Sequence, residues 1–172
     1  NNLLNNFKIR ILKTIIIIQA RMCSKRLPGK VLMKIKGKEI LQHIIDFLKL
    51  TNLSDQIIVA TSKLPEDDKI CKLVSKNNLK YFRGSTDDVL ERYYACAKTF
   101  KGDIVVRMGS DDPIVNPEIV DRIIKKCKDD ELDYVSNSLP QTYPYGYSTC
   151  EAFTFKILKK LHETRTDPES RE

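Results

Sequence analysis

Thr14-Ile15-Ile16-Ile17-Ile18-Gln19-Ala20-Arg21-Met22-Cys23-Ser24-Lys25-Arg26-Leu27-Pro28-Gly29-Lys30 decides the fold of this chain. Its first part is an apolar run, too short for a helix and bounded by polar residues, which predicts a buried strand over residues 13–19. Its second part is a loop carrying four cations, Arg21, Lys25, Arg26 and Lys30, in ten residues. A strand emptying into a cationic loop suits a polyphosphate: backbone amides converge on it while the cations neutralise its charge. It is neither of the two commonest phosphate loops. A Walker loop needs Gly-Lys followed by Ser or Thr, whereas Gly29-Lys30 precedes Val31. The dinucleotide fingerprint needs three glycines, whereas here one glycine stands beside Pro28. A solvated basic loop without a ligand is the plainer alternative.

Charge distribution argues against that alternative. The net charge is +7, but residues 1–60 hold 11 Lys/Arg against 3 Asp/Glu, while residues 61–172 hold 19 against 20. The positive excess therefore surrounds the loop. Nucleic acid is the competing partner. Base-edge readout and stacking favour Arg and aromatics, and the 21 Lys and 9 Arg are scattered, with no basic helix or aromatic-rich strand. No nucleic-acid partner is expected.

A chain of 172 residues is expected to form one domain with a sizeable core. No apolar run approaches the ~20 residues of a membrane span, so no membrane insertion is expected. The start, residues 1–13, lacks the apolar core and cleavage site of a signal peptide. Five cysteines, Cys23, Cys71, Cys96, Cys127 and Cys150, are odd in number and widely spaced, and only His43 and His162 accompany them. Neither a disulfide scaffold nor a zinc site is expected. Reduced core thiols imply a reducing compartment, hence a cytoplasmic protein.

Beyond the first strand, apolar periodicity alternates between 3.6 and short buried runs. It predicts helices at 39–50, 66–77, 88–100 and from 117 to about 128, and strands at 56–60, 80–83, 104–108, 133–136 and 151–155. Asn116-Pro117-Glu118 is a helix start, with a cap, a proline and an acid in sequence. Alternating elements imply an α/β fold with a mainly parallel sheet and helices on both faces. Ligands of such sheets bind beyond the carboxyl ends of the strands. The loops 20–30, 84–88 and 109–113 all lie there.

Two of those loops are acidic. Asp111-Asp112-Pro113 offers two carboxylates opposite the cationic loop, which suits a magnesium–triphosphate site. Asp beside Pro is also ordinary turn chemistry. In Arg83-Gly84-Ser85-Thr86-Asp87-Asp88, a short polar side chain caps the next helix, or the loop contacts a base or ribose.

Residues 19–30, Val59-Ala60-Thr61-Ser62, Arg83-Gly84-Ser85-Thr86-Asp87-Asp88-Val89-Leu90-Glu91-Arg92-Tyr93, Asp111-Asp112-Pro113 and Tyr143-Pro144-Tyr145-Gly146 occur in this order. Together they resemble the cytidylyltransferases of the spore-coat polysaccharide type, relatives of the acylneuraminate and Kdo cytidylyltransferases. The resemblance covers residues 13–172. It implies a Rossmann-like three-layer sandwich of the nucleotide-diphospho-sugar transferase type. It also implies transfer from CTP to a sugar or sugar-acid acceptor, giving a CMP-sugar and pyrophosphate for surface polysaccharide or glycan synthesis. By the same resemblance, Ala20, Arg21 and Lys30 hold the triphosphate, Met22, Cys23 and Ser24 bind the nucleotide with them, and Gly84, Ser85 and Asp87 lie by the cytidine. Asp111 and Asp112 hold Mg2+, while Arg21, Lys30 and Asp111 carry catalysis. Asn137, Tyr143, Tyr145, Gly146 and Glu151 face the acceptor.

The chain departs from the family at Cys23, where members usually carry Gly, and after Gly146, where the usual acid is missing. It ends at Arg171-Glu172, where the family continues. The expected organisation is an N-terminal extension, 1–12, and a nucleotidyltransferase domain, 13–172, truncated at its C-terminus, with a homodimer as the expected assembly. A glycosyltransferase using a nucleotide-sugar on the same fold, or a non-catalytic nucleotide- or sugar-binding domain, are the alternative functions.

Overall fold

Ile15, Ile16, Ile17 and Ile18 are fully buried in β1 (Thr14–Gln19) because both faces of the strand are covered. Ile16 and Ile18 join one core cluster, and Ile15 and Ile17 join the other. Such two-sided burial is why the strand reads as a continuous apolar run rather than an alternation. Burying each of these side chains stabilises the fold by roughly 1.5–3 kcal/mol. The structure, a computed structural model, describes residues 12–24, 27–138 and 147–171.

After β1 come a short 3-10 turn at Lys30–Leu32 and the hairpin of β2 (Lys34–Ile35) and β3 (Lys38–Glu39). Then follow α1 (Ile40–Leu48), β4 (Gln56–Ser62), α2 (Asp68–Lys76), β5 (Lys80–Gly84), α3 (Val89–Phe100), β6 (Ile104–Met108) and α4 (Pro117–Asp129). The chain closes with β7 (Tyr134–Ser136), β8 (Cys150–Thr154) and α5 (Phe155–Thr164). The main sheet has the order β5-β4-β1-β6-β8-β7. Its first four strands are parallel, and β8 runs antiparallel to both β6 and β7.

Three layers result. Leu41, Ile44, Ile45 and Leu48 of α1, Ile70 and Val74 of α2, and Val120, Ile123 and Ile124 of α4 cover one face of the sheet. Val89, Tyr93, Cys96 and Ala97 of α3 and Leu158 of α5 cover the other. The helix starts follow their caps: Asn116 Oδ1 accepts from the Glu118 amide at 2.9 Å, and Asp88 Oδ1 accepts from the Glu91 amide at 2.8 Å. Among the described residues no helix is long and apolar enough to cross a membrane. All five cysteines are free, and all but Cys23 are buried.

The structure differs from the sequence expectation at a small hairpin, at the end of the last strand and in the added helix α5. The small β2–β3 hairpin turns through Lys36 and Gly37, at φ 50° and 81°, the backbone pair that a tight primed turn demands. Its strands are two residues each, too short to show alternation. The last strand ends at Thr154 rather than 155, because the Thr154 hydroxyl accepts from the Ile157 amide at 3.3 Å and starts α5.

Candidate functional site

Parallel pairing of β5, β4, β1 and β6 brings the loops after β1, β5 and β6 to one edge of the sheet. The loop after β1 is pinned from below by Asp67, which is fully buried. One Asp67 oxygen accepts from the Met22 amide at 2.7 Å; the other accepts from Thr61 Oγ1 at 2.8 Å, the Ser62 amide at 3.0 Å and Ser62 Oγ at 2.5 Å. The loop then folds back on itself, the Gly29 amide donating to the Met22 carbonyl at 2.8 Å. Gly29 has φ 74°, a conformation that favours glycine.

Burial raises the Asp67 pKa, but the Ser62, Met22 and Thr61 donors outweigh it and hold the carboxyl below its ordinary range. A depressed folded-state pKa gives stability that is present above the unfolded value of about 4 and lost as pH falls through the folded value. Asp67→Asn should therefore destabilise the protein by about 2–4 kcal/mol at pH 7, with the gap to wild type narrowing below about pH 4. Denaturant unfolding across pH measures it. Equal stability at pH 7 would remove Asp67 as the anchor of the loop.

Above this anchor lies a cleft of about 720 Å³, lined by Gln19, Arg21, Cys23, Ser24, Lys30, Val31, Asp87, Val89, Arg107, Met108, Gly109, Ser110, Asp111, Asp112, Thr149, Cys150 and Glu151. Lys30 Nζ reaches across it to Asp111 Oδ2 at 2.6 Å. Arg21 Nη1 donates to the Thr86 carbonyl. Gly109 makes room for the acidic turn, since a Cβ there would lie 2.8 Å from Asp111 Oδ1. Burial, and then the Asp111 charge, push the Asp112 carboxyl above its ordinary range, against the opposing pull of Lys30. Two adjacent hard-oxygen donors in one turn fit a divalent cation. Among the described residues no group of three or more His, Cys, Asp or Glu could hold a metal. A cation at Asp111 and Asp112 must therefore complete its shell from water or a ligand, as magnesium commonly does.

The loop after β5 divides its labour. Asp88 caps α3, and Ser85 Oγ accepts from the Asp88 amide at 3.1 Å. Asp87 lines the cleft. Gly84 is buried, and a Cβ on it would stand 2.9 Å from Arg92 Cγ, so its lack of a side chain has a packing reason. Ala20 is also buried, its amide donating to the Ala60 carbonyl at 3.1 Å. Met22 borders a separate depression with Cys23, Ser24, Pro28, Gly29 and Glu66. On the far wall Glu151 pairs with Arg107 at 3.6 Å. Asn137 works on the backbone instead: its Nδ2 donates to the Ser148 carbonyl at 2.8 Å and its Oδ1 accepts from the Cys150 amide at 3.0 Å. Tyr143, Tyr145 and Gly146 lie outside the described residues.

Sequence reasoning missed Asp67, Arg107 and the cleft contributions of Gln19 and Thr149. Arg107 left a signal, a lone charge inside the apolar run Ile104–Met108. Asp67 left none, since it sits within Glu66-Asp67-Asp68 and only the fold distinguishes the three. Further along, Arg171 Nε donates to Asp88 Oδ2 at 2.7 Å, tying the turn after α5 to the start of α3.

Comparison with known proteins gives a consistent picture. An uncharacterized protein of Methanocaldococcus jannaschii is 38% identical over 161 residues, covering 94% of this chain and 65% of that protein. The spore coat polysaccharide biosynthesis protein SpsF of Bacillus subtilis is 34% identical over 122 residues, covering 69% of this chain and 51% of SpsF. The chain thus spans between half and two thirds of the length of these curated relatives. A solved cytidylyltransferase structure from Leptospira borgpetersenii superposes with a TM-score of 0.89 at 33% identity, covering 94% of this chain and 68% of that one. The cytidylyltransferase profile itself matches residues 15–163. With the three-layer sheet and the cleft at its carboxyl edge, that match over most of the length means that the chain belongs to the cytidylyltransferase family.

Proposed function

We propose that this chain transfers a cytidylyl group from CTP to a hydroxyl of a sugar or sugar acid, releasing pyrophosphate. The observation that carries this is the convergence of Arg21 and Lys30 from one loop with Asp111 and Asp112 from another on a single cleft. Membership of the cytidylyltransferase family supports the choice of nucleotide. In the reaction, the acceptor oxygen attacks the α-phosphorus in line, the bond to the bridging oxygen breaks, and the hydroxyl proton passes to solvent.

Arg21 and Lys30 are the cations for the departing pyrophosphate, whose charge grows as that bond breaks. In the ligand-free protein they are held by the Thr86 carbonyl and by Asp111, and the phosphate chain replaces those partners. Asp111 and Asp112 are the carboxylates for Mg2+, which would supply charge neutralisation along the triphosphate. The loop of Gly84, Ser85 and Asp87 flanks the cytidine. Glu151, with the backbone that Asn137 fixes, forms the acceptor wall.

Pyrophosphate release from CTP, UTP and ATP, each with a panel of sugars and sugar acids, tests this function. CTP should be preferred by about tenfold or more in kcat/KM. Equal rates with every nucleotide would remove cytidine selectivity, and no release from any of them would remove the reaction.

A further inference from the structure

Arg92 of α3 is fully buried. Its Nη1 donates to the Ser85 carbonyl at 2.5 Å and to the Thr86 carbonyl at 3.4 Å, whereas Nε and Nη2 have no hydrogen-bond partner among the described residues. A buried guanidinium is normally paired with a carboxylate. Asp67 is a carboxylate whose charge reaches Arg92, but the oxygens of Asp67 are taken by Met22, Thr61 and Ser62. The charge is also close to a like charge. Arg21 donates to the same Thr86 carbonyl, so one carbonyl oxygen joins two guanidiniums. Burial, and then the Arg21 charge, hold the Arg92 guanidinium below the ordinary arginine range. The backbone is shaped around this arrangement, since a Cβ at Gly84 would press on the Arg92 stem at 2.9 Å.

We propose that Arg92 is an electrostatic positioning residue of the cleft, an uncompensated buried cation that strengthens the pull of the Arg21 side on a phosphate chain. This rests on the nucleotide function proposed above. Arg92 does not touch the ligand. It fixes the Ser85 and Thr86 carbonyls, the second of which also holds Arg21, and its field is little screened because the side chain is fully buried. A phosphate chain meeting Arg21 relieves the repulsion between the two cations, so part of the binding energy comes from a strain already present in the free protein.

Binding of CTP, inorganic pyrophosphate and cytidine by the whole chain, with magnesium present, tests the proposal by calorimetry on wild type, Arg92→Met and Arg92→Lys. Arg92→Met should keep its thermal midpoint near wild type, because the side chain removed carries a buried charge without a counter-ion. It should lose about tenfold or more in affinity for CTP and for pyrophosphate, a coupling of about 1.4 kcal/mol, while cytidine binding changes less than about threefold. Arg92→Lys keeps the charge and should restore affinity for both anions. Equal losses for all three ligands, or no loss for any, would overturn the proposal in favour of a packing role. If Arg92→Met does not fold, Arg92→Lys decides: affinity for pyrophosphate within about threefold of wild type supports the field, and a loss of about tenfold overturns it. Wild type binding pyrophosphate but not CTP would overturn the cytidylyl function and leave Arg92 standing. Wild type binding neither would overturn both.

Discussion

Asp111→Asn should remove turnover, by roughly 10³-fold or more, while the protein stays folded. The carboxylate stands at the tip of β6, half exposed, with Lys30 Nζ 2.6 Å away. Its loss leaves the core untouched, and an exposed ion pair of this kind contributes little to stability, so the thermal midpoint should stay within a few degrees. Catalysis is different. A neutral amide is a poor ligand for magnesium, and the cleft offers Asp112 as the only adjacent acid in the turn. The readout is pyrophosphate release at saturating CTP against magnesium concentration. A variant with near-normal rate and unchanged magnesium dependence would sink the assignment of Asp111. Asp112→Asn should cost less, because Asp111 is the carboxylate that already engages Lys30 across the cleft.

Much of the fold was legible because both of its cues are local. Ile15–Ile18 reads as a strand from composition alone, and Leu41, Ile44, Ile45 and Leu48 fall on one helix face at the spacing that burial requires. The direction of β8 was not legible. A five-residue strand carries no mark of its direction, and its antiparallel pairing with β6 is settled by Val105 meeting Phe153 and Val106 meeting Ala152 across the sheet. Helix α5 escaped because Phe155 reads equally well as a strand end or a first helical residue, and only the Thr154 cap separates the two.

The site was legible in its charges and illegible in its supports. Arg21, Lys30, Asp87 and Asp111 could be brought to one cleft from the order of strands, since parallel strands deliver their following loops to one edge; Glu151, on antiparallel β8, was expected only from the family resemblance. Asp67 and Arg92 could not. Each derives its meaning from what lies against it: four hydrogen-bond donors in one case, two carbonyls and a second guanidinium in the other. In the sequence, Arg92 between Glu91 and Tyr93 looks like one more charge on a solvated helix face, yet it is fully buried.

Arg21→Ala and Lys30→Ala should each lower turnover by roughly 10²-fold or more, the usual scale for losing one contact to developing charge. Charge on the pyrophosphate grows as the bond to α-phosphorus breaks, so these cations should matter more in the transition state than in initial binding. The expected signature is a fall in kcat larger than any rise in KM. Both side chains are already drawn to the cleft, Arg21 by the Thr86 carbonyl and Lys30 by Asp111, contacts that the phosphate chain replaces when the nucleotide binds. Lys34 is the control: it lies just beyond the loop, its side chain is 61% exposed, and it pairs loosely with Glu39 at 3.6 Å. Lys34→Ala should cost much less, and its small effect should fade as salt screens exposed charge; truncation of Lys25 or Arg26, mid-loop in the sequence, should likewise cost much less. The losses at Arg21 and Lys30 should persist at high salt, because their partner is a bound phosphate rather than a field in water. If all five truncations gave equal losses that vanished at high salt, the loop would be an electrostatic patch, and the phosphate site would lose its main support.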